Sequence, residues 1–142
     1  MHGDPLRVLL VAPPVDFMRE VYGFSGQRTY RNQLPLGIGY IASSLRAAGI
    51  DVAILDAAAH RWDLEQTVRR VLSAEPDVIG ITAITLEAPT AFALVRALRP
   101  RTRARIVVGG AHVNTNWRTV GSECPDADAY VAGDGEGAML DI

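Results

Sequence analysis

Apolar residues fall in short runs separated by polar stretches of helical length. Leu6–Ala12 is an apolar run closed by Pro13-Pro14, the pattern of a parallel strand covered on both faces. Residues 15–33 have no sustained period and predict a long loop that carries aromatic side chains. Residues 36–48 predict a helix, stopped by Gly49 in the left-handed position that follows a helix end. Val52–Leu55 is the second strand. Asp63 caps a helix over 64–74, with Gln66 placed to complete a capping box and Pro76 beyond its end. Val78–Thr82 is the third strand, and Pro89 suits an early position in a helix that ends at Arg99, before Pro100. Ile106–Val108 is the fourth strand and runs straight into Gly109-Gly110. A short helix near 116–123 and a last strand at Ala129–Ala132 lead into Gly133-Asp134-Gly135-Glu136.

Five strands that alternate with helices imply an α/β fold: a doubly wound five-stranded parallel sheet, a flavodoxin-like or Rossmann-like three-layer sandwich. A chain of 142 residues, 49% hydrophobic and 21% charged, has enough apolar material for one such domain over 1–142. It stops where a fifth helix is expected to begin, which suggests a chain cut short.

Charge and cysteine usage narrow the function classes. The formal charge of −2, with arginines scattered along the chain, gives no basic stripe for nucleic acid. The longest apolar runs are strand-sized, which argues against a membrane span, and the opening MHGDPLR does not introduce a signal peptide. With the single Cys124 this predicts a cytoplasmic protein without disulfides. Every basic residue apart from histidine is arginine, so Schiff-base chemistry and a P-loop lysine are both excluded. Arginine-only, alanine-rich usage hints at a GC-rich bacterial genome.

Gly37-Ile-Gly39-Tyr-Ile-Ala42 fits the spacing of the dinucleotide fingerprint, with Asp56 near the position of a ribose-binding carboxylate. That fingerprint works only when its glycines follow a strand directly, so that the pyrophosphate meets a helix N-terminus. Here more than twenty residues of polar loop separate Gly37 from the first strand, which opens instead into Pro13-Pro14. The two glycines are better read as allowing close packing of the helix on the sheet or on a bulky ligand. A phospho-receiver needs an acidic pair after the first strand and a lysine after the fifth, and a flavodoxin needs a hydroxyl- and glycine-rich phosphate loop. Neither pattern is present.

The order of the remaining motifs is more specific. Pro-Pro after the first strand, a long loop, Leu34-Pro-Leu-Gly-Ile-Gly-Tyr-Ile-Ala42 and Gly49-Ile-Asp-Val-Ala-Ile-Leu-Asp56 are followed by three further stretches. These are Asp77-Val-Ile-Gly-Ile-Thr82, Ile106-Val-Val-Gly-Gly-Ala-His112 and Ala129-Tyr-Val-Ala-Gly-Asp-Gly-Glu136. Together they resemble the N-terminal cobalamin (vitamin B12)-binding domain of cobalamin-dependent radical S-adenosylmethionine enzymes, over nearly the whole chain. The resemblance implies cobalamin as cofactor, held at the carboxyl ends of the strands. The residues there are Pro13, Pro14, Leu36, Gly37, Gly39, Thr82, Ala83, Thr85, Gly109, Gly110, His112, Gly133, Asp134, Gly135 and Glu136. Small residues let a corrin ring or its nucleotide tail approach the backbone, and the Thr82 and Thr85 hydroxyls can hydrogen-bond the tail. In this reading Gly110 is required by the ligand, so Gly110→Val is expected to abolish binding and spare the fold. Glycines after strands also simply make turns.

One departure bears on cobalt. Carriers that ligate it use Asp-x-His-x-x-Gly after the first strand, whereas His2, His60 and His112 stand in no such motif. The resemblance therefore implies base-off cobalamin without histidine ligation, and no residue of the chain is assigned as a catalytic group or metal ligand. Tyr22, Phe24, Arg28, Tyr30 and Arg31 are candidates for the lower corrin face or, equally, for solvated surface. His112 can donate to the cofactor or stabilise its own turn. Asp56 suits a turn cap, Trp62 and Trp117 core or interface rim, and Cys124 packing.

A radical S-adenosylmethionine enzyme needs three cysteine thiolates for its iron–sulfur cluster, and this chain has one. S-adenosylmethionine and the [4Fe-4S] cluster would belong to a barrel domain, in cis but absent here or in trans. The resemblance thus implies the cofactor-carrying module of a methyltransferase-type enzyme, not catalytic alone. The alternatives are a non-enzymatic cobalamin-sensing or partner-docking domain, and a nucleotide-binding domain.

Overall fold

The computed structural model describes residues 4–14 and 35–142. Five parallel strands, β1 (Arg7–Ala12), β2 (Asp51–Asp56), β3 (Val78–Thr82), β4 (Arg105–Gly109) and β5 (Ala129–Val131), pair in the order β2-β1-β3-β4-β5. The helices are α1 (Leu36–Ala47), α2 (Leu64–Ser73), α3 (Ala88–Leu98), α4 (Ala111–Asn116), α5 (Val120–Glu123) and α6 (Gly135–Ala138). This is the doubly wound α/β sandwich that the alternation of runs predicts. No described helix is long and apolar enough to cross a membrane.

Strand parity divides the core into two halves, because successive side chains point to opposite faces. Leu9, Val11, Ile79, Ile81, Ile106 and Val108 face one side, where α2, α3, α4 and α5 cover them. Val8, Leu10, Ala12, Val78 and Val107 face the other, beneath Ile38, Ala42 and Leu45 of α1 and Met139 beyond α6. Among the described residues that second side is covered by one long helix and one four-residue helix, and it is the thinner layer there.

Local chemistry fixes the element ends. Asp63 Oδ1 accepts the Gln66 N–H at 2.7 Å and Gln66 Oε1 accepts the Asp63 N–H at 2.9 Å, the reciprocal cap that starts α2. α3 ends at Leu98, and the chain continues through Pro100 in a single 3-10 turn, Arg99–Arg101. Proline is tolerated there because the early positions of a turn need no N–H donor. The expected helix near 116–123 is replaced by two short ones, with α4 starting directly after Gly110. Thr115 Oγ1 and Asn116 Nδ2 donate back to the Ala111 and His112 carbonyls, at 3.1 Å each, inside α4.

Candidate ligand-binding cleft

The strand order reverses direction between β1 and β3, and ligands of open α/β sheets bind beside the carboxyl ends at such a switch point. A cleft of about 230 Å³ opens there on the thinner face. Its floor comes from two rows of the sheet, which register pairs as Leu10, Gly80 and Val107, then Thr82, Gly109 and Val131. Gly37, Ile38 and Ile41 of α1 form one wall, and Gly133–Glu136 with Met139 the other.

Two glycines hollow the floor. Gly80 lies between two large neighbours in its row, and a Cβ there would stand 2.8 Å from Leu10 Cδ2. A glycine inside a strand marks a close approach, and that signal sits in Val78-Ile-Gly-Ile-Thr82, where sequence reasoning passed over it. Gly37 and Gly133 are open in another sense, since a Cβ at either meets no described residue within 4 Å. Gly135 touches α1 instead, with a Cβ position 2.6 Å from Ile41 Cδ1.

The electrostatics are one-sided. Asp134 and Glu136 line the cleft, and among the described residues no lysine, arginine or histidine lines it with them. The floor beneath is apolar except for the Thr82 hydroxyl.

Of the residues expected at the site, the structure brings together Gly37, Thr82, Gly109, Gly110, Gly133, Asp134, Gly135 and Glu136. Leu10, Ile38, Ile41, Gly80, Ile81, Val107, Val131 and Met139 join them without having been singled out. Pro13 and Pro14 are buried at the end of β1, Leu36 is 66% exposed on the outside of α1, and Thr85 is exposed beyond β3. None of these lines the cleft, and neither do Gly39 and Ala83. Tyr22, Phe24, Arg28, Tyr30 and Arg31 lie outside the described residues.

Gly110 and His112 both have close partners within the protein. Gly110 borders the cleft, but the space beside its Cα belongs to the protein. A Cβ there would stand 2.6 Å from the Ala83 carbonyl oxygen and 2.9 Å from its nitrogen, and the residue has φ +106°. Its lack of a side chain serves backbone packing. His112 turns away from the cleft, with Nε2 2.8 Å from Glu123 Oε2 and its ring edge-on to Phe92 at 5.6 Å. Asn116 Nδ2 approaches Nδ1 at 3.3 Å. The His112 hydrogen bond, reinforced by Thr119, holds the Glu123 carboxyl below its ordinary range. The imidazole is a tie between α4 and α5.

The other singled-out groups have local partners. Asp56 Oδ1 accepts the Ala59 N–H at 3.0 Å as a turn cap. Trp62 stacks on His60 at 4.4 Å, and Trp117 is exposed beneath Arg118. Cys124 is buried, and that burial pushes its thiol up. Among the described residues no group of three or more His, Cys, Asp and Glu could hold a metal ion.

The profile of the B12 binding domain matches residues 29–142. An uncharacterized methyltransferase of Pyrococcus horikoshii is 32% identical over 133 residues, 92% of this chain and 27% of that protein. The anaerobic magnesium-protoporphyrin IX monomethyl ester cyclase of Rubrivivax gelatinosus is 30% identical over 142 residues, 96% of this chain and 24% of that enzyme. The chain thus spans about a quarter of the length of these relatives. Among solved structures, the radical S-adenosylmethionine methyltransferase TsrM of Kitasatospora setae, with cobalamin and a [4Fe-4S] cluster bound, superposes with a TM-score of 0.75. It is 20% identical and covers 96% of this chain and 24% of its own.

Proposed function

The chain belongs to the B12-binding domain family, and from that premise we propose that it binds cobalamin base-off, with the nucleotide tail in the cleft and the corrin outside it. It is the cofactor-holding module of a radical S-adenosylmethionine enzyme of methyltransferase type, and residues 1–142 act as one unit. The cluster and S-adenosylmethionine belong to a barrel outside this chain, in cis or in trans, because one cysteine cannot supply three thiolates.

The observation that carries this reading is the size and polarity of the cleft. Sites for whole drug-sized ligands run to ~300–1,000 Å³, so a cleft of about 230 Å³ suits a bicyclic aromatic base and not a corrin. Its floor of Leu10, Val107 and Val131 suits an uncharged ring. The Asp134 and Glu136 carboxylates can only accept hydrogen bonds, which suits ribose hydroxyls and corrin amide N–H groups. Among the described residues no cation faces this pair, so it repels the two negative charges of a pyrophosphate more than the single charge of the cobalamin phosphodiester. That argues against a nicotinamide or nucleotide-diphosphate ligand.

This chain's residues bind and orient. Ile38, Ile41 and Met139 would close on the base and exclude water from it, and Thr82 would hydrogen-bond the tail. When bound, cobalamin supplies a cobalt centre able to carry an alkyl group. With His112 engaged by Glu123, no histidine of the described residues faces the cleft.

Purified protein incubated with hydroxocobalamin and desalted is expected to retain a base-off visible spectrum. His112→Ala is expected to leave that spectrum unchanged while lowering the melting temperature, since it removes a buried ring and its tie to Glu123. A base-on spectrum would contradict tail withdrawal. A spectral shift in the histidine variant would contradict a histidine-free lower face.

A further inference from the structure

Resting on the reading that the cleft takes the nucleotide tail, we propose that Asn114 determines specificity for that tail by fixing the outer wall of the cleft. Asn114 does not line the cleft. It projects from the first turn of α4, and its Oδ1 accepts the Gly133 N–H at 2.7 Å. Two residues earlier in the same turn, the His112 N–H donates to the Ala83 carbonyl at 3.0 Å. One helical turn therefore holds the exits of both β3 and β5.

The wall has need of this tie. β5 is three residues long and its pairing with β4 stops at Val131, two residues before Gly133. Gly133 is exposed, has φ +92°, and offers no side chain to pack. Asp134, Gly135 and Glu136 follow it directly along the wall. Anchoring the Gly133 nitrogen fixes where these residues start, and so the width of the mouth. Asn114 is a positioning residue: it acts on the ligand through Gly133.

The test compares cobalamin with cobinamide, the corrin that lacks the nucleotide tail. Wild-type protein is expected to bind cobalamin more tightly than cobinamide. Asn114→Ala removes one side-chain acceptor, and is expected to weaken cobalamin roughly three- to tenfold, the range for a single hydrogen bond. Cobinamide affinity should stay within about twofold, because the wall acts on the tail. Asn114→Asp keeps an acceptor oxygen in place and should restore the preference when measured at about 0.5 M salt, where its added charge is screened. Equal weakening of both ligands would show a general structural role, and no weakening would show an idle contact; either overturns the assignment. A wild-type protein that binds both corrins alike would overturn the tail reading itself, a separate failure seen before any variant is made.

Discussion

Gly110→Ala is expected to destabilise the protein almost as much as Gly110→Val. The Cβ atom alone, common to both, would sit 2.6 Å from the Ala83 carbonyl oxygen, and that oxygen is held by the His112 N–H. A backbone atom in a bonded network cannot step aside as the end of a side chain can. The left-handed φ of +106° adds strain for any residue with a Cβ. Strain of about 1–3 kcal/mol and overpacking of about 1–3 kcal/mol sum to roughly 2–6 kcal/mol. This is a large part of the ~5–15 kcal/mol by which domains are stable, and corresponds to a drop of roughly 7–20 °C in Tm. Thermal unfolding of the two variants checks it. If Gly110→Ala melted like wild type and only Gly110→Val lost cofactor, the glycine would be serving the ligand.

Gly37→Leu should show the opposite pattern. Gly37 occupies the second position of α1 and lines the cleft, and a Cβ there meets no atom within 4 Å. Replacing a helical glycine by leucine favours the helix by up to about 1 kcal/mol, so Tm should stay level or rise. The four added carbons have the cleft mouth to enter, and cobalamin affinity should fall at least tenfold, a loss of about 1.4 kcal/mol or more. Gly37→Ala should fall between the two. Unimpaired binding by Gly37→Leu would place the ligand away from α1, and a large loss of Tm would show a packing role for the glycine.

The two glycines explain what the sequence could and could not disclose. Strand parity and cap chemistry are local, so Leu6–Ala12, the Asp63–Gln66 cap and the alternating order of elements were legible before any coordinates. Glycines at strand ends were legible as positions where something comes close, but what comes close is a tertiary fact. For Gly110 it is the Ala83 backbone, for Gly135 it is Ile41, and for Gly37 it is open space. The same limit applies to His112, whose position after β4 suggested a ligand contact until α5 brought Glu123 to its ring. Ile38, Ile41 and Met139 do not stand out in the sequence, because being apolar does not distinguish a cleft wall from a packed interior. Nothing in the sequence marks Asn114, because its partner lies nineteen residues away.

Cobalamin binding is tested most directly by equilibrium titration of the folded protein with hydroxocobalamin, followed by visible absorbance, with a dinucleotide such as NADH titrated in parallel. Saturable binding with a dissociation constant well below 1 mM, more favourable than about −4 kcal/mol, and no saturation with the dinucleotide are expected from an apolar cleft with an acidic rim. A flat cobalamin titration up to about 1 mM, from protein shown to be folded by its melting transition, would contradict the account.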